Sequence, residues 1–235
     1  MPRFFIDDIT PDILTISGDD ARHIAKSLRM RAGEEIILCD GCGMDACCKI
    51  TDIGEDVTAR VLYREKNSAE SNVRVTLYMG CPKGGKLEFI VEKAVELGAV
   101  RIVPIVTSRS VSRPTGDSAK RKTERLRRHA LEAAKQCGRG IVPDVGLFIL
   151  FDEMIRELKD YDQILFCYEG GGQPIGGLRE MTDVRNTALI IGPEGGFEPA
   201  EAQSLEKTGA NTVSLGPRIL RCETAAIAAL SVILI

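Results

Sequence analysis

The sequence has no apolar run of the roughly 18 residues that a membrane-spanning helix needs. Its first residues, Met1-Pro2-Arg3-Phe4-Phe5, also lack the apolar segment of a secretory signal. We therefore expect no membrane partner and a cytoplasmic location. The hydrophobic content of 44% is ordinary for a globular chain with a substantial core.

Several catalytic signatures are missing as well. The sequence has no G-x-S-x-G, and neither of its two histidines, His23 and His129, is placed by sequence beside a nucleophile. It also has no G-x-G-x-x-G to support a dinucleotide-binding site of the Rossmann type. These absences argue against a hydrolase and against a nicotinamide or flavin enzyme.

Metal binding has weak support despite eight cysteines. Cys39 and Cys42 have the spacing of a half zinc site. However, Asp40-Gly41 between them lies among alternating apolar residues, which is typical of a hairpin turn. Cys47 and Cys48 are adjacent, so in a strand they would face opposite sides of the sheet. We expect a hairpin here and no metal.

Charge is distributed unevenly along the chain. The net charge is −3, yet residues 109–139 hold ten Lys or Arg against three acids, which is 10 − 3 = +7. Residues 21–33 hold four basic residues and no acid. Such local basic faces suit a polyanionic partner although the whole chain is acidic.

Residues 1–66 read as a small β-rich domain. Strand-like apolar segments occur at 4–6, 13–16, 35–39, 46–53 and 57–63. One helix is predicted to run from Asp19-Asp20 toward Met30, with Arg22 and Arg29 on one face because they are seven residues apart. The polar stretch 65–72 predicts a linker, and a second domain then spans 72–235.

The second domain alternates strands and helices, which predicts an α/β domain with a parallel sheet. The predicted strands are 73–79, 101–105, 163–168, 188–191 and 211–214. The predicted helices are 86–97, 118–137, a short one around 155–158, one beginning near 198–199, and 223–235.

Two strand–turn–helix units near the C-terminus organise this domain. The first contains Gly192-Pro193-Glu194-Gly195-Gly196-Phe197, and the second contains Leu215-Gly216-Pro217-Arg218-Ile219-Leu220-Arg221-Cys222-Glu223-Thr224-Ala225. Parallel strands place both turns at the carboxyl edge of the sheet, where α/β folds bind their ligands. Glycines let a ligand approach the backbone N–H groups there.

These two loops resemble those of the uridine-N3 methyltransferases of small-subunit ribosomal RNA, a family of the SPOUT class. The resemblance extends over nearly the whole chain, through Lys93–Ala99, Arg109-Ser110-Val111, Gln136 with Arg139, and His23–Gly33. It implies a SPOUT-type domain with a C-terminal trefoil knot, preceded by a PUA-like β-barrel domain. It also implies a homodimer.

The resemblance further implies S-adenosyl-L-methionine as cofactor and 16S rRNA of the small ribosomal subunit as partner, without a metal. Arg221 and Glu223 are the candidate catalytic residues. The implied cofactor-binding residues are Cys167, Tyr168, Glu169, Ile191, Gly192, Gly195, Gly196, Leu215, Gly216, Ile219, Leu220 and Arg221. The candidate substrate-binding residues are Arg3, Arg22, Arg29, Arg31, Lys83, Lys86, Arg113, Gln136 and Arg139.

Two other readings of the sequence stay open. Residues 80–87 nearly match the phosphate-binding loop of NTPases, although Leu87 stands where the metal-holding hydroxyl belongs. The chain could also be a non-catalytic RNA-binding or ribosome-assembly protein on the same scaffold, and Arg221 could form a structural ion pair with Glu223 or Glu194. The sequence also departs from the family, since Lys135 stands where relatives often have Glu, which puts in doubt how a substrate-side arginine is oriented.

Overall fold

The structure is a computed structural model that describes residues 1–178 and 184–235. It divides into two compact units, one of Met1–Glu70 with Ala134–Val142 and one of Ser71–Ala133 with Pro143–Ile235. None of the described helices is long and apolar enough to cross a membrane. The first unit therefore recruits a segment, 134–142, that the sequence assigns to the second domain.

The first unit is a five-stranded sheet in the order β1-β3-β4-β5-β2. Its strands are β1 (Arg3–Phe5), β2 (Ile13–Ile16), β3 (Glu35–Cys39), β4 (Met44–Ile53) and β5 (Val57–Lys66). Only β1 and β3 pair in parallel among these strands, and the other neighbours are antiparallel. Alternate residues form one apolar core that includes Phe4, Ile36, Leu38 and Ile50.

The helix of the first unit is shorter than its sequence predicts. α1 (Gly18–Arg22) continues as a π-helical turn, His23–Ser27, and the chain then leaves the helix. Arg29 has a left-handed backbone with φ of 53°. The prediction that Arg22 and Arg29 share a helix face is therefore wrong, because the widened π turn ends the helix before Arg29 is reached.

The polar stretch 65–72 is not a free linker. Glu65 and Lys66 belong to β5. Asn67 is 8% exposed, and its side-chain amide donates to Asp45 at 2.8 Å and to the Gly138 carbonyl at 3.1 Å. A polar side chain that is buried and bonded on two sides fixes the backbone, whereas a linker has no such contacts.

Two of the predicted RNA-contact residues are buried in the first unit. The Arg3 guanidinium donates to both carboxylate oxygens of Asp45, at 2.7 and 3.0 Å. Arg139 is 2% exposed, and its Nη2 lies 2.6 Å from Glu70 Oε2. Burial opposes the ionisation of Asp45, but hydrogen bonds from Arg3 and Asn67 outweigh it and hold its pKa below the usual range. Arg3 and Arg139 therefore stabilise this unit and are not available to phosphates.

The family departure at Lys135 also has a structural outcome. Its ammonium pairs with Asp20 at 2.8 Å and lies 5.9 Å from the centre of the Phe4 ring. Glu70 contacts Arg139, and its Oε1 also accepts the N–H groups of Gly140 and Ile141, each at 3.1 Å. Lys135 thus contacts Asp20, and the effect of this departure on a substrate-side arginine stays a prediction.

The second unit is built on a parallel sheet in the order β11-β13-β10-β12-β6-β7-β8, with β9 also paired to β7. Its strands are β6 (Arg74–Gly80), β7 (Arg101–Val106), β8 (Asp144–Val145), β9 (Ile149–Leu150), β10 (Gln163–Cys167), β11 (Gln173–Pro174), β12 (Asn186–Ile191) and β13 (Asn211–Ser214). Its helices are α2 (Lys86–Leu97), α3 (Gly116–Cys137), α4 (Phe151–Glu157), α5 (Pro199–Lys207) and α6 (Cys222–Leu234), with short 3₁₀ turns at Leu158–Asp160 and Ile175–Leu178.

Helices cover both faces of this sheet. Apolar residues of α4 and α5 pack on one face with Ala188 and Ile190 of β12. Leu189 and Ile191 alternate with them and so point to the other face, where α6 contacts β12 and packs on α2. The predicted α/β architecture is confirmed, and the two-residue strands β8, β9 and β11 are the elements that the sequence pattern does not reveal.

We expect Glu70→Gln to destabilise the first unit strongly, because Glu70 Oε2 lies 2.6 Å from Nη2 of the buried Arg139 and the variant removes the charge from that contact. Breaking a buried ion pair from one side typically costs about 3–5 kcal/mol. Asp19→Asn, which removes the partner of the exposed Arg22, is the matched control and should cost at most about 1 kcal/mol. Urea unfolding measures both, and equal losses in the two variants would contradict a structural role for Arg139.

Candidate functional site

A cavity of about 600 Å³ lies at the carboxyl edge of the parallel sheet in the second unit. Because β10, β12 and β13 are parallel neighbours, the three loops that follow them meet there. The cavity is lined by residues 167–171, 191–194, 196–197, 213–222 and Ala225. The cavity therefore lies at the predicted edge of the sheet, and the two predicted glycine loops both contribute to it.

The predicted cofactor-binding residues line this cavity, with one exception. Cys167, Tyr168, Glu169, Ile191, Gly192, Gly196, Leu215, Gly216, Ile219, Leu220 and Arg221 all contribute to its wall. Gly195 does not, because a Cβ built on it would face outward, 3.2 Å from Cβ of Arg109. The cofactor contact expected of Gly195 stays a prediction. Ile219 is at the wall but 91% exposed, so it belongs to the rim.

Close packing explains the glycines of the glycine-rich loop, which we define as residues 192–197. A Cβ on Gly192 would lie 2.9 Å from the Phe197 ring. Gly196 has φ of +66°, and its N–H donates to the Pro193 carbonyl at 2.9 Å, which closes a tight turn. A Cβ on Gly196 would lie 2.8 Å from both carboxylate oxygens of Glu169. Side chains at these positions would fill the turn or displace Glu169.

Arg109 holds the glycine-rich loop from outside the cavity. Its Nη1 donates to the Gly195 carbonyl at 2.9 Å, and its Nε donates to Glu198 at 2.9 Å. The hydrogen bond from Arg109 holds the pKa of Glu198 below its usual range. Glu201, 7% exposed, accepts the N–H groups of Ser108 and Glu198, at 2.8 and 2.9 Å. The loop after β7 is thus fastened to the glycine-rich loop and to the start of α5.

A second ionic contact fastens the same loop on its other side. The ammonium of Lys86 lies 3.0 Å from Glu194 and 3.5 Å from Glu223. The bond to Glu194 raises the pKa of Lys86. Burial opposes ionisation of Glu194, but bonds from Lys86 and from the Lys83 N–H lower its pKa overall. Lys86 therefore joins the glycine-rich loop to the first turn of α6.

This contact also answers the NTPase alternative. In a phosphate-binding loop, backbone N–H groups and a lysine donate to the phosphates. Here the Lys83 N–H and the Lys86 ammonium both donate to the carboxylate of Glu194. An internal carboxylate thus occupies the place that a phosphate would need. The sequence position of Lys86 suggests a phosphate ligand, but in the structure its ammonium is already bonded to Glu194. The side chain of Lys83 is exposed.

Arg221 stands at the cavity wall as the N-cap residue of α6, with an extended backbone. Its carbonyl accepts the N–H of Ala225 at 2.8 Å, which fixes its backbone. Its side chain is exposed, and across residues 1–178 and 184–235 neither Glu194 nor Glu223 pairs with it, since both pair with Lys86. The structural ion pair that the sequence leaves open for Arg221 is absent from this part of the chain.

Glu223 differs from Arg221 because its carboxylate is already engaged. Its own backbone N–H, the Cys222 thiol at 3.2 Å and Lys86 lower its pKa. A carboxylate with a lowered pKa is a weak base. Glu223 thus joins the first turn of α6 to Lys86, and the catalytic roles expected of Arg221 and Glu223 stay predictions.

The thiols of Cys167 and Cys222 line the cavity and are uncharged. Burial raises the pKa of Cys167 to about 12, and burial with the bond to Glu223 raises that of Cys222 to about 12. Tyr168 stacks on Phe166 with ring centres 5.1 Å apart. No group of three His, Cys, Asp or Glu side chains within the described residues is arranged to hold a metal ion. The wall is thus mostly backbone, apolar side chains and neutral thiols.

The remaining predicted substrate residues lie apart from the cavity wall. Arg22, Arg29 and Arg31 are exposed in the first unit, and Arg22 pairs with Asp19. Arg113 donates to the carbonyls of Ser108 and Ser110, and Gln136 is exposed. Sequence reasoning missed Arg109 and Glu198 as supports of the site. The sequence did mark Arg109, because Arg109-Ser110-Val111 is part of the family resemblance, but that resemblance does not show which residues Arg109 contacts.

Comparison with known proteins places these features in context. Residues 69–234 match the model of an RNA methyltransferase domain, and residues 16–62 match that of an RNA methyltransferase PUA domain. The ribosomal RNA small subunit methyltransferase E of Bacillus subtilis is 35% identical over 246 residues, covering 99% of this chain and 96% of that protein.

Solved structures show the same similarity. A ribosomal RNA small subunit methyltransferase E from Neisseria gonorrhoeae, bound to S-adenosyl methionine, superposes with a TM-score of 0.85 at 28% identity, covering 98% of this chain and 95% of that one. A methyltransferase from Legionella pneumophila, in complex with the same cofactor, gives 0.88 at 29% identity, covering 98% and 96%.

We expect Gly80→Ala to destabilise the second unit, because β6 ends directly against the glycine-rich loop. A Cβ on Gly80 would strike the Pro193 ring and lie 2.7 Å from the Gly192 carbonyl carbon. Overpacking of this kind typically costs about 1–3 kcal/mol. Gly85→Ala is the control in the following turn, where the nearest atom is 3.8 Å away, and should change stability by at most about 0.5 kcal/mol. Chemical unfolding that fails to separate the two variants would refute this packing.

Proposed function

The chain belongs to the RNA methyltransferase family, and from this premise we propose that it transfers a methyl group from S-adenosyl-L-methionine to N3 of a uridine in 16S rRNA of the small ribosomal subunit. The observation that carries the proposal is Arg221, a cation without a carboxylate partner in the described chain, at the wall of a glycine-lined cavity. Relatives that are named ribosomal RNA small subunit methyltransferases support small-subunit rRNA as the substrate class. The choice of uridine N3 as the methylated atom is a further part of the proposal.

The residues of the cavity fit this cofactor, which is bound in two of the similar structures. A volume of about 600 Å³ is in the range of small-molecule sites. Ile191, Leu215 and Leu220 give apolar wall for a nucleoside, and the glycine-rich loop exposes backbone at the wall. Polar specificity would come from backbone groups of the three loops.

When bound, S-adenosyl-L-methionine supplies a methyl group that its sulfonium already activates. The chain must then hold the acceptor base in line and stabilise the charge that forms as uridine N3 loses its proton. That charge spreads onto O2 and O4 of the ring. Arg221 has its backbone anchored at the start of α6, and its guanidinium, which pairs with neither Glu194 nor Glu223 within the described residues, is suited to donate to one of these oxygens.

Glu223 and Lys86 support this arrangement without touching the base. Their contact links α6, which carries Arg221, to Glu194 of the glycine-rich loop. Arg109 fixes the other side of that loop. The glycine-rich loop of the cavity wall and the start of α6, next to Arg221, are therefore linked by direct contacts.

The RNA-contact surface of the first unit is proposed to comprise Arg22, Arg29 and Arg31, which are exposed. Lys83 is added from the second unit, since its side chain is exposed beside a loop of the cavity. Arg3 and Arg139 are left out because both are buried in ion pairs.

We also propose that the chain forms a homodimer, a trefoil knot and a PUA-like barrel. Beyond its first turn α6 is mostly apolar and buries only part of its surface, and the nearby Ile219 is 91% exposed. A second copy packed on this region would cover that apolar surface. The knot is supported by β13 and β12 lying on opposite sides of β10.

We expect Arg109→Met to weaken binding of S-adenosylhomocysteine about three- to tenfold, because the glycine-rich loop loses its outer support while the cavity wall keeps its residues. The lost bonds are exposed, so solvent screening limits the expected loss to this range. Arg156→Met, an exposed arginine on α4, is the control. Isothermal titration measures both, and unchanged affinity in Arg109→Met would remove Arg109 from the support of the site.

We expect Arg221→Lys to bind cofactor and RNA nearly normally and to methylate roughly 10²–10³ times more slowly, the typical loss for one preorganised donor. The deficit should shrink as pH rises, because more of the uridine is then ionised at N3 and needs less help. Arg218→Lys, in the same loop, is the control.

Single-turnover rates across a pH series test this expectation. A deficit that stays constant with pH, or one that appears only as lost binding of S-adenosylhomocysteine, would make Arg221 a scaffold residue. Binding of cofactor and RNA without any methyl transfer by the wild type would instead favour the non-catalytic RNA-binding alternative.

A further inference from the structure

α3 carries a line of arginines on its outer face. Its inner face is formed by Thr123, Leu126, Ala130 and Ala133, which are buried and spaced three or four residues apart. On a helix the opposite face then contains positions 121, 125 and 128. We call Arg121, Arg125 and Arg128 the arginine line. All three are exposed.

These guanidinium groups are largely free. Within the described residues, Arg121 and Arg128 form no ion pair or side-chain hydrogen bond. Arg125 lies 3.3 Å from Glu88, and its side chain remains 59% exposed. A guanidinium that stays in water keeps its donors for a ligand, and a planar fork of donors matches a phosphate.

Positive charge is concentrated in the helix segment that carries the line. Residues 120–128 hold six Lys or Arg and one Glu, which is 6 − 1 = +5, in a chain whose net charge is −3. Like charges at helix spacings of three and four, as at 121, 125 and 128, destabilise a helix by tenths of a kcal/mol per pair. Such a pattern is compensated when a polyanion binds to it.

Contacts within the second unit connect the line to the elements that hold the glycine-rich loop. Arg125 reaches Glu88 in the first turn of α2, the helix whose Lys86 pairs with Glu194 of the glycine-rich loop. Lys122, next to the line, donates to Ser112 at 3.2 Å, in the loop whose Arg109 holds Gly195. The start of α3 is thus joined to both supports of the cavity.

We propose that the arginine line binds the phosphodiester backbone of the RNA strand whose base enters the cavity. The inference rests on the proposed function and adds to it a surface outside the cavity and outside the first unit. The exposed residues of 116–128 are all polar or glycine. A membrane-surface helix or a protein interface would need apolar side chains on this face, and the apolar residues of α3 face the core instead.

The test compares two triple variants that each remove three positive charges. Arg121→Gln, Arg125→Gln and Arg128→Gln are combined in the first. Arg156→Gln, Lys159→Gln and Lys207→Gln, exposed residues elsewhere in the second unit, are combined in the control. Binding of a small-subunit rRNA fragment is measured by fluorescence anisotropy over a salt series, and binding of S-adenosylhomocysteine by titration.

The first variant should reduce the slope of log K against log salt by roughly 2–3, since each lost phosphate contact removes about 0.7–0.9. Its affinity for S-adenosylhomocysteine should equal that of the wild type, and the control should keep the wild-type slope. A wild-type slope in the first variant, or equal losses in both, would overturn the proposal. If the triple variant unfolds, Arg121→Gln and Arg128→Gln singly should each reduce the slope by about 0.7–0.9.

Methylation separates this inference from the proposed function. The first variant should show a raised KM for RNA and an unchanged rate at saturating RNA. A variant that methylates with wild-type KM and slope overturns the arginine line and leaves the function standing. Absence of methyl transfer by the wild type, together with a reduced slope in the variant, overturns the function while the line remains an RNA-binding surface.

Discussion

The cavity depends on a backbone turn that is held in place from outside by two cations. Within residues 192–197 the Gly196 N–H donates to the Pro193 carbonyl and closes the turn, and contacts from outside hold that turn against its neighbours. Arg109 donates to the Gly195 carbonyl on one side, and Lys86 pairs with Glu194 on the other. Because the same Lys86 reaches Glu223, the start of α6 is joined to this support. Neither Arg109 nor Lys86 lies in the cavity wall, whereas Arg218 and Arg221 do.

Arginine has three distinct tasks in this protein, and the partners of each guanidinium distinguish them. Arg139, 2% exposed and paired with Glu70, stabilises the first unit. Arg109, exposed but paired with Glu198 and a carbonyl, shapes a loop. Arg221, Arg121 and Arg128 are exposed and, in the described chain, have no side-chain partner, so they are suited to an external anion. The net charge of −3 conceals this division.

Much of the fold could be predicted from the sequence, since strand and helix periodicity and the two glycine loops are local signals. They located β13 at 211–214 and the cavity edge correctly. Some contacts could not be predicted because they join residues that are far apart in the sequence, as when Arg109 donates to the Gly195 carbonyl. The predicted linker 65–72 contains the boundary between the two units at Glu70 and Ser71, but its Asn67 bonds Asp45 and Gly138. The early end of the helix before Arg29 is a local miss, because a π turn leaves no periodic signal. The periodicity of a sequence does not show which distant residue a polar side chain will contact.

The most direct test of the central claim is to incubate the purified wild-type protein with small-subunit rRNA and methyl-labelled S-adenosyl-L-methionine, and then to digest the RNA to nucleosides for mass spectrometry. The label should be recovered in 3-methyluridine, and unlabelled cofactor should compete the label away. Label in any other nucleoside would contradict transfer to N3, and absence of label from the RNA, with the protein folded and bound to cofactor, would contradict methyl transfer itself.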